Sequence, residues 1–278
     1  MLPAPYSETA LRKRVARRYV RIMKIKANDA ANGGSGARSQ VRLFVQDALA
    51  PGADVKCSQD QAHYLGNVMR MRAGDAVLAF NGRDGEWLAE IVALKRGDCE
   101  LAARERTREQ TGGPDFHYLF APLKKARLDF MVQKATELGV AALRPVMTRR
   151  TVAERVKLER MQANVIEAAE QCGVLRVPEV AEPEKLEAVL GKWPESRALV
   201  FADESAPIAS PLEALAAIPT GPAALLIGPE GGFTEEERAM LLALPFVHAI
   251  SLGPRIMRAD TAAVAALALM NAVLGDWR

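Results

Sequence analysis

From Val41 to about Thr107, apolar and polar positions alternate over short runs: "VRLFV", "DAVLAF", "EWLAEIVAL" and "CELAA". Turn-forming pieces separate them: "PGAD", "RAGD", "NGRDGE" and "KRGD". A period of two bounded by Gly and Asp predicts short strands, and several in succession predict a small antiparallel β-barrel over residues 39–110. One stretch departs from this. In "QDQAHYLGNVMRMRAG" (59–74) Leu65, Val68, Met69 and Arg72 fall at helical spacing, which predicts a helix stopped by Gly74.

"REQTGGPD" (108–115) reads as a linker, and beyond it the rhythm changes. "FHYLFAPL", "AALRPVMT", "ALVFAD", "AALLIG" and "HAISLG" read as strands. Between and after them "KKARLDFMVQKATELG", "ERVKLERMQANVIEAAEQCG", "SPLEALAAI", "TEEERAMLLAL" and "DTAAVAALALMNAVLGD" read as helices. Such alternation predicts an α/β domain over 114–278 with a mainly parallel sheet, whose ligands sit beyond the carboxyl ends of the strands.

Two of those strand ends carry the same design. "LLIGPEGGFTEEE" (225–237) and "ISLGPRIMRADTAAVAAL" (250–267) each run from an apolar strand through Gly-Pro into a helix start. A single such loop is an ordinary turn, and "TEEE" is a capping box with Thr234 as N-cap. The pair points to a ligand. "GPEGGF" offers successive backbone N–H groups with no side chains in the way, so a flat molecule can approach bare backbone. Glu235, Glu236 and Glu237 would repel a triphosphate, and neither G-x-x-x-x-G-K-[ST] nor G-x-G-x-x-G is present. An adenine or a ribose suits the loop better.

Composition adds limits. The 49% hydrophobic and 26% charged content is that of a globular protein, and no apolar run approaches the roughly 20 residues of a membrane helix. Cys57, Cys99 and Cys172 are odd in number, widely spaced and in no C-x-x-C pair. That argues against a disulfide framework or a zinc site and suits a reducing, cytoplasmic setting. The N-terminus lacks the apolar segment of a signal peptide. The net charge of +3 hides an asymmetry: residues 1–38 hold nine basic residues against two acids, a local +7 that leaves −4 for the rest. This arm, ending in "ANGGSGARSQ", is open to three readings. It is a polyanion-binding tail, a transit peptide, or an extension without specific role upstream of a start at Met23; the last is favoured.

The two loops, together with "QKATELGV" (133–140) and "EAAEQCG" (167–173), resemble the RsmE-type branch of the SPOUT methyltransferases, over about residues 41–275. The resemblance implies an α/β domain whose two loops and last helix form a trefoil knot that binds S-adenosylmethionine. "RLFV" and "HYLGNVMRMRAGD" resemble the PUA-like barrel that precedes it. The implied activity is methylation of N3 of one uridine near the 3′ end of small-subunit (16S) ribosomal RNA, during ribosome maturation, by a homodimer with its cofactor site near the subunit interface. The basic arm has no counterpart in that family.

Methylating N3 requires loss of the imino proton while charge spreads onto O2 and O4, so a fixed cation beside those oxygens lowers the barrier. The electrophile is already a sulfonium, so no metal is expected. Arg258 is the first candidate for that cation, against a role bracing the knot. Arg255 is a candidate to exchange roles with it or to bind phosphate. Glu230 is a candidate proton acceptor or ribose ligand, against a structural hydrogen bond. Cofactor contacts are expected mostly from backbone at Leu226, Ile227, Gly228, Gly231 and Gly232, and at Leu252, Gly253, Ile256 and Met257, with the side chains of Leu226, Ile227 and Leu252 packed in the core. Thr261 and Ala262 are expected to offer N–H groups at the helix start. At Asp260 the family more often has Glu; Asp still caps a helix, but a catalytic reading of it is weakened.

RNA contacts are expected from His63, Arg70 and Arg72, with Lys124, Lys125 and Arg127 as phosphate binders. Lys134 is a further candidate, with Glu137 beside it as an alternative interface pair. The family continues with Arg after "QCG", where this chain has Val174; Arg176 is the candidate substitute. Cys172 reads as a buried small hydrophobe. The rivals are a ribose 2′-O methyltransferase of the same fold and a non-catalytic ribosome-assembly protein. A Rossmann nucleotide enzyme lacks its fingerprint here.

Overall fold

The computed structural model describes residues 41–152, 155–207 and 209–277, with nothing stated for the side chain of Lys125. The basic arm (1–38) lies outside the described residues. The chain divides into two compact units between Gln110 and Thr111.

The first unit holds strands β1 (Arg42–Phe44), β2 (Asp54–Lys56), β3 (Ala76–Phe80), β4 (Glu86–Lys95) and β5 (Asp98–Arg108). They form one sheet in the order β1-β3-β4-β5-β2. Pairing is antiparallel except that β1 lies parallel to β3, with Arg42 opposite Leu78, where an all-antiparallel arrangement was expected. The alternation works as predicted: Leu43, Val77, Ala79, Ile91 and Leu101 are buried on one face. The tight turn between β4 and β5 closes over Gly97, whose φ of +78° suits a residue without Cβ.

Helix α1 (Gln59–His63) starts on a capping box between Ser58 and Gln61. The expected helix over 59–74 is shorter. It widens into a π-helical turn over Tyr64–Val68 and stops, because Arg70 turns left-handed at φ +54°. The wide turn keeps two successive residues, Tyr64 and Leu65, in the core.

The second unit is built on parallel strands β6 (Phe116–Phe120), β7 (Ala142–Met147), β8 (Glu179–Val180), β10 (Ala198–Ala202), β11 (Ala223–Ile227) and β12 (Val247–Ile250). Their order is β12-β10-β11-β6-β7-β8, and a two-residue β9 (Glu184–Lys185) pairs the end of β7. Strand β11 is buried at every position and faces two cores by its period of two. Leu225 and Ile227 meet one core, which includes residues of α2 (Lys125–Glu137), α3 (Leu158–Cys172), α5 (Pro211–Ala216) and α7 (Ala259–Val273). Ala224 and Leu226 meet the other, with α4 (Leu186–Leu190) and α6 (Glu235–Leu242). Helix α3 starts at Leu158, later than the sequence pattern, and ends on Gly173 at φ +72°. Asn271 ties α7 to the end of α2, donating to the Leu138 carbonyl at 2.9 Å. Cys172, expected buried, is exposed at the end of α3. Among the described residues no helix is long and apolar enough to cross a membrane.

At the amino end of β6, His117 lies 3.4 Å from Asp115, which Arg197 grips through both carboxylate oxygens. Burial, reinforced by Arg197 and Arg144, depresses the His117 pKa to about 4. The unfolded chain, with a His near its ordinary 6.5, binds more protons between those values, so stability falls as pH drops through that window. Urea midpoints at pH 4.5 and pH 7 are expected to differ less in His117→Gln than in the wild type. An unchanged pH dependence would remove His117 as its cause.

Candidate functional site

The loops after β11 and β12 meet at the carboxyl edge of the sheet and enclose a cleft of about 580 Å³. Its first wall is residues 227–235. A Cβ on Gly228 would lie 2.6 Å from the ring of Phe233, so only a glycine lets that ring fold under the loop. The ring packs edge-on against Phe201 at 5.2 Å between centroids. Gly232 sits at φ +67°, and a Cβ there would come within 2.6 Å of Glu204 Oε1. The wall ends in the expected capping box. The Glu237 carboxylate is buried and accepts from the Thr234 N–H at 2.9 Å and the Arg149 N–H at 2.8 Å. It therefore both starts α6 and fastens the loop to the turn after β7.

That turn, 148–151, is a second hold on the loop. Thr148 N–H and Thr151 Oγ1 close it at 2.9 Å, and Arg150 donates to the Gly231 carbonyl at 2.8 Å. On the other side Arg127 of α2 pairs with Glu230. The floor comes from the end of β10. Asp203 is buried, accepts from the Ser205 N–H at 3.0 Å, and takes both Nε and Nη2 of Arg238 at 3.0 and 2.9 Å. The Asp203 carboxylate raises the Arg238 pKa above its ordinary value.

The second loop contributes Leu252, Gly253, Ile256 and Met257 to the lining, and both Arg255 and Arg258. Arg258 is the N-cap residue of α7 in extended backbone, and it makes no side-chain capping bond. Arg255 and Arg258 are exposed, and among the described residues neither guanidinium has a carboxylate or carbonyl partner. The other three arginines of the cleft are engaged, Arg127 and Arg238 by carboxylates and Arg150 by a carbonyl, so these two are its unpartnered guanidinium groups.

The structure thus brings Ile227, Gly228, Glu230 and Gly232 together with the second-loop residues and Ala262. Leu226 packs in the core beneath α6, as expected of its side chain; two other sequence candidates stand elsewhere, Gly231 engaged through its carbonyl outside the lining and Thr261 exposed beyond it. The two helix-start N–H groups expected to face a ligand are taken: Thr261 donates to Asp260 Oδ1 and Ala262 to the Arg258 carbonyl. Sequence reasoning missed Arg150, Asp203, Glu204, Ser205, Phe233 and Arg238 as wall residues. "ADES" was findable as another strand end; Arg150 depends on a contact two strands away from β11.

Of the RNA candidates, His63, Arg70, Arg72 and Lys124 are exposed, with His63 Nδ1 2.7 Å from the Asn67 side-chain amide. Lys134 is held 2.7 Å from Glu137, and Arg176 donates to the carbonyls of Pro114 and Gly113, so both are committed within the second unit. Lys125 lies outside the described side chains. No group of three or more His, Cys, Asp or Glu among the described residues is placed to hold a metal ion.

A parallel sheet with a backbone-walled cleft at its carboxyl edge, fringed by Arg255 and Arg258, defines an α/β protein with an open site where its strands end. The chain belongs to the RNA methyltransferase family, whose RNA methyltransferase domain matches residues 111–271 and whose RNA methyltransferase PUA domain matches residues 58–102. It is 35% identical over 241 residues to the ribosomal RNA small subunit methyltransferase E of Synechocystis sp., covering 84% of this chain and 78% of that protein. The protein of the same name from Rickettsia conorii is 29% identical over 82% of this chain and 93% of its own. Among solved structures, ribosomal RNA small subunit methyltransferase E of Neisseria gonorrhoeae, bound to S-adenosyl methionine, superposes with a TM-score of 0.77. It is 29% identical, over 86% of this chain and all of that one.

Proposed function

We propose that this protein transfers a methyl group from S-adenosylmethionine to N3 of a uridine in small-subunit (16S) ribosomal RNA during ribosome maturation, in the cytoplasm. The observation that carries the reading is the pair of unpartnered guanidinium groups, Arg255 and Arg258, on the rim of a glycine-walled cleft. The cleft suits the cofactor: its volume lies within the range of small-molecule sites, and glycines at 228 and 232 let Phe233 and Glu204 pack close against the loop that walls it. Bound there, S-adenosylmethionine would supply the methyl group as a sulfonium.

The residues of the chain do the rest. Arg258, and Arg255 beside it, face the charge that grows on uracil O2 and O4 as N3 loses its proton, and interact more strongly with that charge than with neutral uracil. Glu230, a candidate for the proton, is already paired with Arg127, which favours a role in shaping the loop. The proton then passes to solvent or to an RNA group. Residues 39–110 serve RNA binding through His63, Arg70 and Arg72, and residues 114–278 carry the transfer, with Lys124 as a phosphate contact. We also place here the closure of the first sheet into a barrel, the trefoil knot and the homodimer. For the knot the support is that β12 runs at the sheet's edge beside β10, yet α7 returns to pack on β11 and α2.

The test is transfer of label from S-adenosylmethionine, with small subunits from a strain lacking this gene offered beside large subunits and tRNA. Label confined to small subunits is expected. Label on tRNA would move the reading to another substrate, and binding without transfer would favour an assembly factor.

A further inference from the structure

Strand β2 is the edge of the first sheet and only three residues long, and β5 alone pairs it in the sheet order. The register sets Asp54 opposite Ala102, Val55 opposite Leu101 and Lys56 opposite Glu100. One residue further it brings Cys57 opposite Cys99, and the Cys57 N–H donates to the Cys99 carbonyl at 2.9 Å. Opposed residues of an antiparallel pair point to the same face. Here it is the buried face, shared with Val55 and Leu101. A hydrogen-bonded antiparallel pair has Cα atoms about 5.5 Å apart, inside the roughly 4.4–6.8 Å that disulfides span. The two thiols are near enough for each to perturb the titration of the other.

We propose that Cys57 and Cys99 are a reversible modification site, closed into a cross-strand disulfide by hydrogen peroxide and reopened by thiols. The neighbouring Cys57 thiol lowers the Cys99 pKa, while Cys99 and burial raise that of Cys57, so Cys99 supplies the thiolate. Its sulfur attacks one peroxide oxygen. The S–O bond forms, the O–O bond breaks, and the departing hydroxide takes up a proton as water. The Cys57 sulfur then displaces the sulfenic oxygen: S–S forms, S–O breaks, and a second water leaves with the Cys57 proton. Two thiols and one peroxide thus give one disulfide and two waters. Cys57 is 6% exposed and Cys99 fully covered, so entry of the oxidant depends on opening the short edge strand, the kind of local fluctuation that costs far less than unfolding. Cys172 lies in the second unit and takes no part. The bridge would anchor the end of β2, and with it the Ser58 cap of α1, to the β4–β5 hairpin.

The experiment uses the full chain carrying Cys172→Ser, which removes the exposed thiol. It is treated in its native state with hydrogen peroxide, alkylated after denaturation, and digested without reductant for mass spectrometry. A peptide pair joined through Cys57 and Cys99, two hydrogens lighter than its parts, is expected, with both thiols lost together and restored by dithiothreitol. The melting temperature of the oxidised protein should rise on the order of 10 °C. With Cys57→Ala added, no joined peptide should form and Cys99 should advance to higher oxides. If both cysteines stay alkylatable, or Cys99 reaches the sulfinic acid without any joined peptide while Cys57 is present, the proposal is overturned.

Discussion

Replacing Arg258 with alanine is expected to lower kcat for methyl transfer by about 10²–10³-fold, the loss typical of removing one donor from a developing anion. The affinity for S-adenosylmethionine should stay within about twofold of the wild type, because the cleft's first wall does not depend on this side chain. The side chain makes no capping bond at α7, so the fold should be unaffected. Arg255→Ala should be milder and show more in KM for the ribosomal subunit, as a phosphate contact would. Single-turnover rates and cofactor calorimetry on each variant separate the two roles. Loss of cofactor binding in parallel with kcat would make Arg258 a brace of the loop instead.

Gly228→Ala should strike the cofactor first. Its Cβ would meet the Phe233 ring at 2.6 Å, and that ring is wedged against Phe201. Something must shift, and overpacking of this kind costs about 1–3 kcal/mol. Displacing the loop should weaken S-adenosylmethionine binding at least about tenfold, since roughly 1.4 kcal/mol of binding energy is one decade. Phe233→Leu frees the space, so the double variant should recover part of the affinity lost by Gly228→Ala. Calorimetry on the three proteins decides it: wild-type affinity in Gly228→Ala would mean that the loop is not the cofactor's wall.

What could be read from the sequence follows the range of the interactions. Both glycine loops were legible because each is contiguous, and the capping box at Thr234 is a signal four residues long. Five strands of the parallel sheet announced themselves by apolar runs, whereas the two-residue β8 at its edge did not. Nor did the strand order, and so "ADES" after β10 escaped notice although it forms the floor beside both loops. The grip of Arg150 on Gly231 joins positions 81 apart in sequence and has no local trace. Glu230 read as a proton acceptor, a ribose ligand or a structural hydrogen-bond acceptor; the structure pairs it with Arg127, a partner 103 residues away that no local signal shows. The helix over 59–74 failed for a different reason. Its apolar spacing is real, but Tyr64 and Leu65 must both be buried, which a regular turn with a single inward stripe does not favour. Widely spaced cysteines likewise gave no sign that two strands would set Cys57 against Cys99.

The central claim is most directly tested by the identity of the methylated nucleoside. Small subunits from a strain lacking this gene are incubated with the protein and S-adenosylmethionine, and the 16S RNA is digested to nucleosides for mass spectrometry. The account predicts 3-methyluridine, absent before incubation and absent with the Arg258→Ala protein on the same timescale. A 2′-O-methylated nucleoside in its place would contradict it, leaving the cleft as a cofactor site but removing the uracil anion that Arg258 is held to stabilise.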